Sequence, residues 1–406
     1  MPSKRQQTES HLLSVYKKVN PSTYYIEADD AEFAARQEFF SGLLHRRLCF
    51  PRKMFQNAEM VEFGSGTGEN SLFYLLWGAH GTFVEINEKA IERMQSLFQH
   101  FQIPDSQYNA IEESIFDFQP DRTWDIVATM GVLHHLEDKE KAFSKVASCV
   151  APGGYLLFGI ANKAGSLQRN LQRLIVHTLA GDDHDKIEQV AELLFTEHLD
   201  RAERFGRRTR KAIIYDTYVN PKIDSMSVAE VYDQFAENGL EPYSMWPPVT
   251  PALLGDSPNR PACDPMASDA INGLAELGWM AHRDDDAELL QSLEQQLKAP
   301  MKTLDELSEA FNDQDAEQRP DLESLQSIAD AAHHALSKPV DPYTSHWQLA
   351  SQLLTEINEV LALLAERDID ALRHRLASCE VLFRGTSGLG MSYYVAHRPD
   401  TPPTHA

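Results

Sequence analysis

Short apolar runs alternate with segments of helical periodicity along the first 250 residues of the chain. After residue 68, for example, Leu72, Leu75 and Leu76 recur at the three- and four-residue spacing of a helix, and later segments repeat this pattern. Strands that alternate with helices are joined by crossovers, so the pattern predicts a doubly wound α/β fold with a mostly parallel sheet. Strands are predicted at residues 60–63, 81–85, 110–118, 124–130 and 155–160, and helices at 89–101 and from 132 to 150.

The first 58 residues have the pattern of amphipathic helices. Asp29 or Asp30 can cap a helix whose apolar stripe ends before Pro51. We expect this segment to form a helical lid over the core, although an ordinary packing helix explains its residues equally well. The aromatic residues that such a lid could turn toward a substrate are Tyr16, Tyr24 and Tyr25.

A glycine-rich loop follows the first predicted strand. Gly64, Gly66 and Gly68 allow a tight turn and let a ligand approach bare backbone, while the next helix offers unpaired N–H groups at its N-terminus. Glu85 closes the second strand, where a carboxylate can accept both hydroxyls of a ribose. Because Glu69 replaces the small residue of the dinucleotide motif and would repel a pyrophosphate, the loop indicates a nucleoside cofactor without phosphate. With a further acid at Glu62, S-adenosylmethionine fits best.

Four segments together resemble the successive motifs of class I S-adenosylmethionine-dependent methyltransferases. They are EFGSGTG, the acid Glu85, WDIVATMGVLHHLED and VAPGGYLLFGI, and the resemblance spans roughly residues 55–250. It implies a Rossmann-like, seven-stranded sheet and methyl transfer from S-adenosylmethionine. The residues implied to hold the amino-acid end of the cofactor are Glu62, Gly64, Ser65, Gly66 and Gly68.

The resemblance also assigns the rest of the cofactor. Glu85 is implied to bind the ribose, and Met130 and Gly131 to lie under the sulfonium and adenine. Many relatives have an acid for the adenine amino group where this chain has Ser114, followed by Ile115. Glu113 or Asp117 is then a candidate substitute. The NPPY-type tetrapeptide, which marks methylation of planar amino groups, is replaced by TMGV.

A long gap separates the last two strands. A helix at 227–238 and a strand at 240–246 match the last helix and sixth strand of the resembled family, but the seventh strand, antiparallel there, is found only at 391–397. We therefore predict a helical insertion at 251–380, with helices at 287–298, 322–336 and 347–366. The predicted divisions are 1–58 (lid), 59–250 (core), 251–380 (insertion), 381–398 (final strand) and 399–406 (disordered tail).

The predicted insertion is strongly acidic. It has 25 acidic and 9 basic residues, which gives −16 of the formal net charge of −24. It could bind a partner protein, mediate self-association or cover an acceptor, and a solvated helical addition to the fold is an equally good interpretation. A basic run at 201–211 lies near the predicted acceptor cleft and could bind a substrate phosphate or carboxylate, or pair with the acidic insertion.

Two adjacent histidines are candidates for a general base. His134 and His135 follow the fourth strand at the carboxyl edge of the sheet, where open α/β folds bind ligands. We prefer His135, and one of the pair is expected to have a packing or hydrogen-bonding role. Asp216 is a second catalytic candidate. Alternatives are Tyr215, Tyr218 and Asn162.

The composition narrows the function further. The net charge of −24 argues against a nucleic-acid partner, and no run of eighteen apolar residues predicts a membrane span. The four cysteines have no metal-binding or disulfide spacing, which favours a reducing, cytoplasmic setting and gives no metal site. We expect methylation of a small-molecule or lipid- or sugar-linked acceptor, at oxygen. The alternatives are a cofactor-binding interaction protein whose insertion recruits a partner, a protein acceptor and, more distantly, a nicotinamide oxidoreductase.

Overall fold

The fold is described from a computed structural model of the chain. The described residues are 4–17, 23–206, 209–220, 222–249, 269–281, 298, 302, 326–327, 330–331, 342–384 and 390–400.

A seven-stranded sheet forms the centre of the molecule, which confirms the predicted fold class. Its spatial order is β3-β2-β1-β4-β5-β7-β6, with β7 antiparallel to both neighbours and the other pairs parallel. The strands are β1 (Glu59–Phe63), β2 (His80–Glu85), β3 (Tyr108–Glu112), β4 (Trp124–Met130), β5 (Val150–Ala161), β6 (Glu241–Trp246) and β7 (Met391–His397).

Helices cover both faces of the sheet. The chain runs from β1 outward to β3 and then starts again at β4 on the other side of β1, so the carboxyl ends of β1 and β4 flank the point where strand order reverses. A crevice forms at such a point. The helices are α1 (Lys4–Tyr16), α2 (Asp30–Ser41), α3 (Glu69–Leu76), α4 (Glu88–His100), α5 (Lys139–Ser148), α6 (Leu167–Ala180), α7 (His184–Gly206), α8 (Arg210–Ile214), α9 (Val228–Glu237), α10 (Asp269–Met280), α11 (Pro342–Glu366) and α12 (Ile369–Ser378).

Several element boundaries differ from those predicted; the fifth strand, for example, begins at Val150 and not at residue 155. The third strand ends at Glu112 because Ser114 turns the chain, its hydroxyl accepting from the Phe116 amide and its carbonyl from the Asp117 amide. The helix expected from residue 132 begins at Lys139, where Asp138 caps it, and a single 3₁₀ turn at Leu133–His135 comes first.

The N-terminal helices pack beside the glycine loop. Asp29 caps α2 by accepting from the Ala31 amide, and a π-helical turn continues it over Gly42–Arg47. The apolar stripe of this segment buries Phe40 and Leu44 against α3. The lid role of residues 1–58 stays a prediction, and α1 is described with the site.

The described part of the predicted insertion is helical and packs onto the core. Buried Glu356 of α11 accepts from the amides of Glu380, Val381 and Leu382, which fixes the chain as it returns toward β7. Glu276 of α10 accepts from the Val228 amide at the start of α9. The helix predicted at 347–366 is present within α11, whereas those at 287–298 and 322–336 fall largely outside the described residues. Binding of a partner or self-association through 251–380 stays a prediction.

Arg210, which forms the most ion pairs of the basic run among the described residues, does not pair with the insertion. Arg210 binds the carboxylates of Glu192, Asp200 and Glu203, all on α7. Residues 207 and 208 lie outside the described residues. Within the part of the chain that is described, no helix is long and apolar enough to cross a membrane.

Candidate functional site

A cavity of about 380 Å³ opens at the carboxyl ends of β1, β2 and β4. It lies in the crevice that the strand order creates, with α1 and α2 on its outer side. The structure brings most of the predicted site residues to this one cavity. Those that line it are Glu62, Gly64, Ser65, Gly66, Glu85, Ser114, Ile115, Met130, Gly131, His134, His135 and Asp216.

Gly68 is the predicted cofactor residue that does not line the cavity. It precedes α3 in the left-handed conformation, with φ of 85°, and a Cβ there would lie 2.4 Å from the Met94 side chain. The glycine is therefore required for packing of the loop on α4. Gly66, by contrast, also has a positive φ of 55°, but a Cβ there would meet no described atom within 4 Å. Its bare backbone faces open space.

Glu62 supplies a buried carboxylate at the bottom of the cavity. It is 3% exposed and accepts a hydrogen bond from the Ser71 hydroxyl of α3. Burial, together with the negative charge of Glu85, raises the pKa of Glu62 to about 7, against the opposing effect of Ser71. Nearby, the buried Ser65 hydroxyl has no hydrogen-bond partner among the described residues. A cationic ligand that donates hydrogen bonds fits both groups.

Glu85 is held rigidly at the end of β2. Its Oε2 accepts from the Gly66 amide and its Oε1 from the Asn87 amide, each at 2.9 Å. These two bonds lower the pKa of Glu85, but burial raises it by more. Each oxygen keeps a lone pair for a further donor, and the side chain lines the cavity. A pair of vicinal hydroxyls matches this arrangement.

An acid from α1 lies beside Ser114, the position where many relatives of the resembled family have an acid of their own. The Ser114 hydroxyl donates to Glu9 Oε1 at 2.7 Å, and Glu9 lines the cavity. Asp117 is instead engaged by the Arg5 guanidinium at 3.0 Å, whereas Glu113 does line the cavity. Glu9 was missed because nothing in the local pattern of α1 indicates which distant loop it contacts.

Further ion pairs fasten α1 across the cavity mouth. Lys4 pairs with Glu137 in the loop after β4, and the Thr8 hydroxyl donates to the same carboxylate. At the other end of the helix, Lys17 Nζ lies 3.1 Å from Glu88 Oε1 at the start of α4. Together with the contacts of residues 5 and 9, these bonds tie α1 to three loops at the carboxyl edge of the sheet.

His135 is arranged as a neutral base. Its Nδ1 lies 2.8 Å from the Lys222 carbonyl oxygen, which can only accept, so Nδ1 carries the proton and Nε2 has the lone pair. Burial lowers the pKa of His135, more than the Lys222 carbonyl and Asp216 raise it, and the ring is therefore neutral near pH 7. The ring lines the cavity next to Met130 and Gly131, with the Tyr16 ring edge-on at 6.4 Å.

His134 has a different environment, although it lines the same cavity. Its Nδ1 accepts from the Ala161 amide at 3.4 Å, so this nitrogen is occupied by the end of β5. Burial lowers the pKa of His134 well below its usual value, and the neighbouring His135 adds to this effect. The two rings thus differ in which nitrogen is engaged as an acceptor, and the catalytic role of either histidine stays a prediction.

The other catalytic alternatives are engaged elsewhere. The Asn162 side chain donates to Glu276 and accepts from the Gly165 amide, and Tyr218 is completely buried with its hydroxyl toward Gln172. Neither these residues nor Tyr215 are among those that line the cavity. Asp216 does line it, within the π-helical turn at Tyr215–Val219.

This arrangement fits a methyl-donor nucleoside. Glu62 and Glu85 are buried acids that suit an ammonium group and a ribose. The unsatisfied Ser65 hydroxyl and the bare backbone of Gly66 belong to the loop between these two acids. The glycine loop itself carries no cation that could bind a phosphate. These are features of S-adenosylmethionine-dependent methyltransferases.

Comparison with known proteins identifies the class. A family model described as "Methyltransferase domain" matches residues 33–244, more than half of the chain, and the chain belongs to this family. This confirms the predicted resemblance to class I S-adenosylmethionine-dependent methyltransferases and the predicted cofactor.

Individual relatives are distant. The chain is 26% identical over 164 residues to the ubiquinone biosynthesis O-methyltransferase of Albidiferax ferrireducens, which covers 36% of this chain and 64% of the relative. Among solved structures, PKMT2 of Rickettsia typhi with AdoHcy bound is 13% identical, with a TM-score of 0.40 over 50% of this chain and 43% of that one. The 1,6-didemethyltoxoflavin-N1-methyltransferase of Burkholderia thailandensis is 16% identical, with a TM-score of 0.30 over 40% and 67% of the two chains. The chain thus spans less than two thirds of the length of the first two relatives.

Proposed function

We propose that this protein transfers a methyl group from S-adenosylmethionine to an oxygen atom of a small-molecule acceptor. The observation that carries the proposal is the neutral His135 ring, fixed by Lys222 with Nε2 available, in the same cavity as Glu62 and Glu85. The sulfonium of the bound cofactor supplies an electrophilic methyl group. The protein has to hold an acceptor in line with it and remove the acceptor's proton.

Holding the acceptor in line accounts for most of the rate. Correct placement of two reactants lowers a barrier by roughly 7–11 kcal/mol. Here Met130 and Gly131 line the cavity on the side of the sheet, and residues of α1 line it on the opposite side. Gly131, with φ of 82°, keeps the sheet side of the cavity clear of a side chain.

His135 is proposed to take the proton. Its Nε2 accepts the hydroxyl proton of the acceptor as the oxygen–methyl bond forms and the sulfur–methyl bond breaks. Asp216 is close enough to raise the pKa of His135 and so stabilises the protonated ring. The proton then leaves to solvent. Glu62, Ser65 and Gly66 are proposed to hold the amino-acid end of the cofactor, Glu85 the ribose and Glu9 with Ser114 the adenine.

Binding of S-adenosylmethionine is expected to weaken as the pH falls through 7. The pKa of Glu62 is raised to about 7 in the free protein, so acidification neutralises the carboxylate that would pair with the cofactor's ammonium group. Calorimetry between pH 5.5 and 8.5 measures the effect, and buffers of different ionisation enthalpy should reveal proton release on binding at pH 7. Glu62→Gln should bind more weakly at pH 8 and lose the pH dependence. A pH dependence that persists in Glu62→Gln contradicts the assignment.

Transfer to a small molecule is tested with methyl-labelled S-adenosylmethionine. We expect label in the low-molecular-weight fraction of a metabolite extract incubated with the protein, and its loss with a Glu85→Ala control. Label in protein alone contradicts a small-molecule acceptor, and chemical stability of the labelled product distinguishes an ether from a methylated amine. No label in any fraction, with normal cofactor binding, contradicts the proposed activity and favours an interaction role.

A further inference from the structure

Two arginines line the cavity in addition to the predicted site residues. Arg36 projects from α2 and Arg169 from α6, and both line the cavity beside Tyr393 of β7. Both guanidinium groups lower the pKa of Tyr393, although burial raises that pKa overall, so both cations are near the same hydroxyl. Tyr393 packs over Gly159, which is the register partner of Met130 in the wall of the cavity. Arg169 therefore lies on the β7 side of the cavity, whereas Arg36, which also bonds to Asn70 of α3, lies between Tyr393 and the glycine loop.

Neither cation has a carboxylate partner in the described part of the chain. Arg36 donates to Asn70 Oδ1 at 2.8 Å and its guanidinium lies 4.0 Å from the centre of the Tyr24 ring, while its buried Nε has no hydrogen-bond partner among the described residues. The nearby Glu69 carboxylate accepts from the Thr67 hydroxyl and the Tyr24 amide instead.

Arg169 has fewer hydrogen-bond partners among the described residues than Arg173 on the same helix. Arg173, one turn later, donates to the carbonyls of Thr217 and Asn220 at 2.7 Å each. Arg169 makes no hydrogen bond or ion pair with the described residues, yet its charge lowers the pKa of His134, His135 and Arg173. Its positive charge therefore acts at this end of the cavity, where the charge of Asp216 opposes it at His135 and Arg173 without forming an ion pair with Arg169 among the described residues.

The overall composition makes these two residues unusual. The chain has 61 acidic and 37 basic residues, so a cation here has many carboxylates available to it. Arg210 is an example, since it binds three of them. A partly buried guanidinium without an anion is unfavourable, and its planar fork suits a carboxylate or phosphate.

We propose that the methyl acceptor carries an anionic group, a carboxylate or a phosphate, and that Arg169 and Arg36 bind it beside Tyr393. This inference rests on the proposed function, since it specifies the acceptor of the same site. Anchoring the anion there leaves the rest of the molecule between Tyr393 and His135, where its hydroxyl can meet Nε2. Tyr24 and Tyr393 supply aromatic surface for a planar acceptor.

Direct binding of simple anions tests the proposal without requiring turnover. Isothermal titration of the full chain, with and without saturating S-adenosylhomocysteine, compares benzoate, phenyl phosphate and the neutral benzamide. We expect benzoate or phenyl phosphate to bind at least tenfold more tightly than benzamide, and the tighter of the two anions identifies the acceptor's charged group. Arg169→Gln should remove at least tenfold of that affinity, and Arg169→Lys should restore part of it.

Matched variants distinguish anion binding at this site from a general effect of the protein's charge. Arg36→Lys keeps a cation over Tyr24 and should weaken anion binding less than Arg36→Gln, while Arg122→Gln, at an exposed pair with Glu59, should have no effect. Equal binding of benzamide and benzoate, or unchanged benzoate binding in Arg169→Gln, overturns the proposal. This experiment measures anion binding and not methylation. A protein that binds benzoate through Arg169 but methylates no acceptor would therefore contradict the proposed function and leave the anion-binding site supported.

Discussion

Replacing Glu85 with alanine is expected to weaken S-adenosylmethionine binding by roughly 10²-fold or more. A hydrogen bond to a charged group contributes about 1.5–3 kcal/mol, and this carboxylate is placed to accept two from a ribose. The same change also removes the acceptors of the Gly66 and Asn87 amides, so the glycine loop loses its anchor. Calorimetry with S-adenosylmethionine and S-adenosylhomocysteine gives the affinities.

Two further variants separate ribose binding from loop support. Glu85→Gln keeps the length of the side chain and one acceptor oxygen. It should bind the cofactor more weakly than the wild type does. Its thermal unfolding midpoint should be closer to that of the wild type than the midpoint of Glu85→Ala is. Glu112→Ala alters the exposed register partner of Glu85 on β3 and should leave binding unchanged. Wild-type affinity in Glu85→Ala, or tighter binding of NAD than of S-adenosylmethionine, is incompatible with the assignment.

Replacing His135 with asparagine is expected to lower kcat by about 10²- to 10⁴-fold, which is the usual contribution of a general base. Asparagine can still donate to the Lys222 carbonyl, so the local structure is preserved, but it has no ring nitrogen to take a proton. Cofactor affinity should be unchanged. Initial rates with the labelled cofactor and the acceptor found in the extract provide the measurement.

The pH profile gives a second readout for His135. Its pKa is lowered by burial, so the neutral, active form prevails at and above the usual histidine pKa, and kcat at saturating S-adenosylmethionine should fall only on acidification below that value. His135→Asn should lose this inflection. A variant with full activity, or one that keeps the same inflection, would exclude His135 as the base and direct attention to Asp216.

Local signals in the sequence led to many of the residues that line the cavity around the glycine loop. Strand β4 was predicted at its observed bounds, and Glu62, Gly66 and Glu85 lie within one βαβ unit, where sequence spacing and spatial distance are closely related. Gly68 was assigned to the cofactor by the same motif, but its conformation is explained by packing on Met94. A motif alone does not distinguish a glycine that admits a ligand from one that admits a neighbouring side chain.

The other residues of the cavity could not be predicted in this way because they come together only in the folded chain. Glu9 reaches Ser114 across more than one hundred positions, and Arg36, Arg169 and Tyr393 come from three distant elements. Their side chains have ordinary positions in amphipathic helices or a strand. What distinguishes the two arginines is that neither has a carboxylate partner among the described residues, which a linear pattern cannot show.

The position of β7 has a consequence for how this protein is made. β5 and β6 do not pair with each other, and β7 fills the space between them by bonding to both. During synthesis the sheet therefore remains divided until residue 397 has left the ribosome, and until then β5 exposes an unpaired edge, which is prone to pairing with other chains. Expression of residues 1–250 as a separate fragment would leave that edge permanently open, so biochemical work on the methyltransferase core requires the returning strand as well.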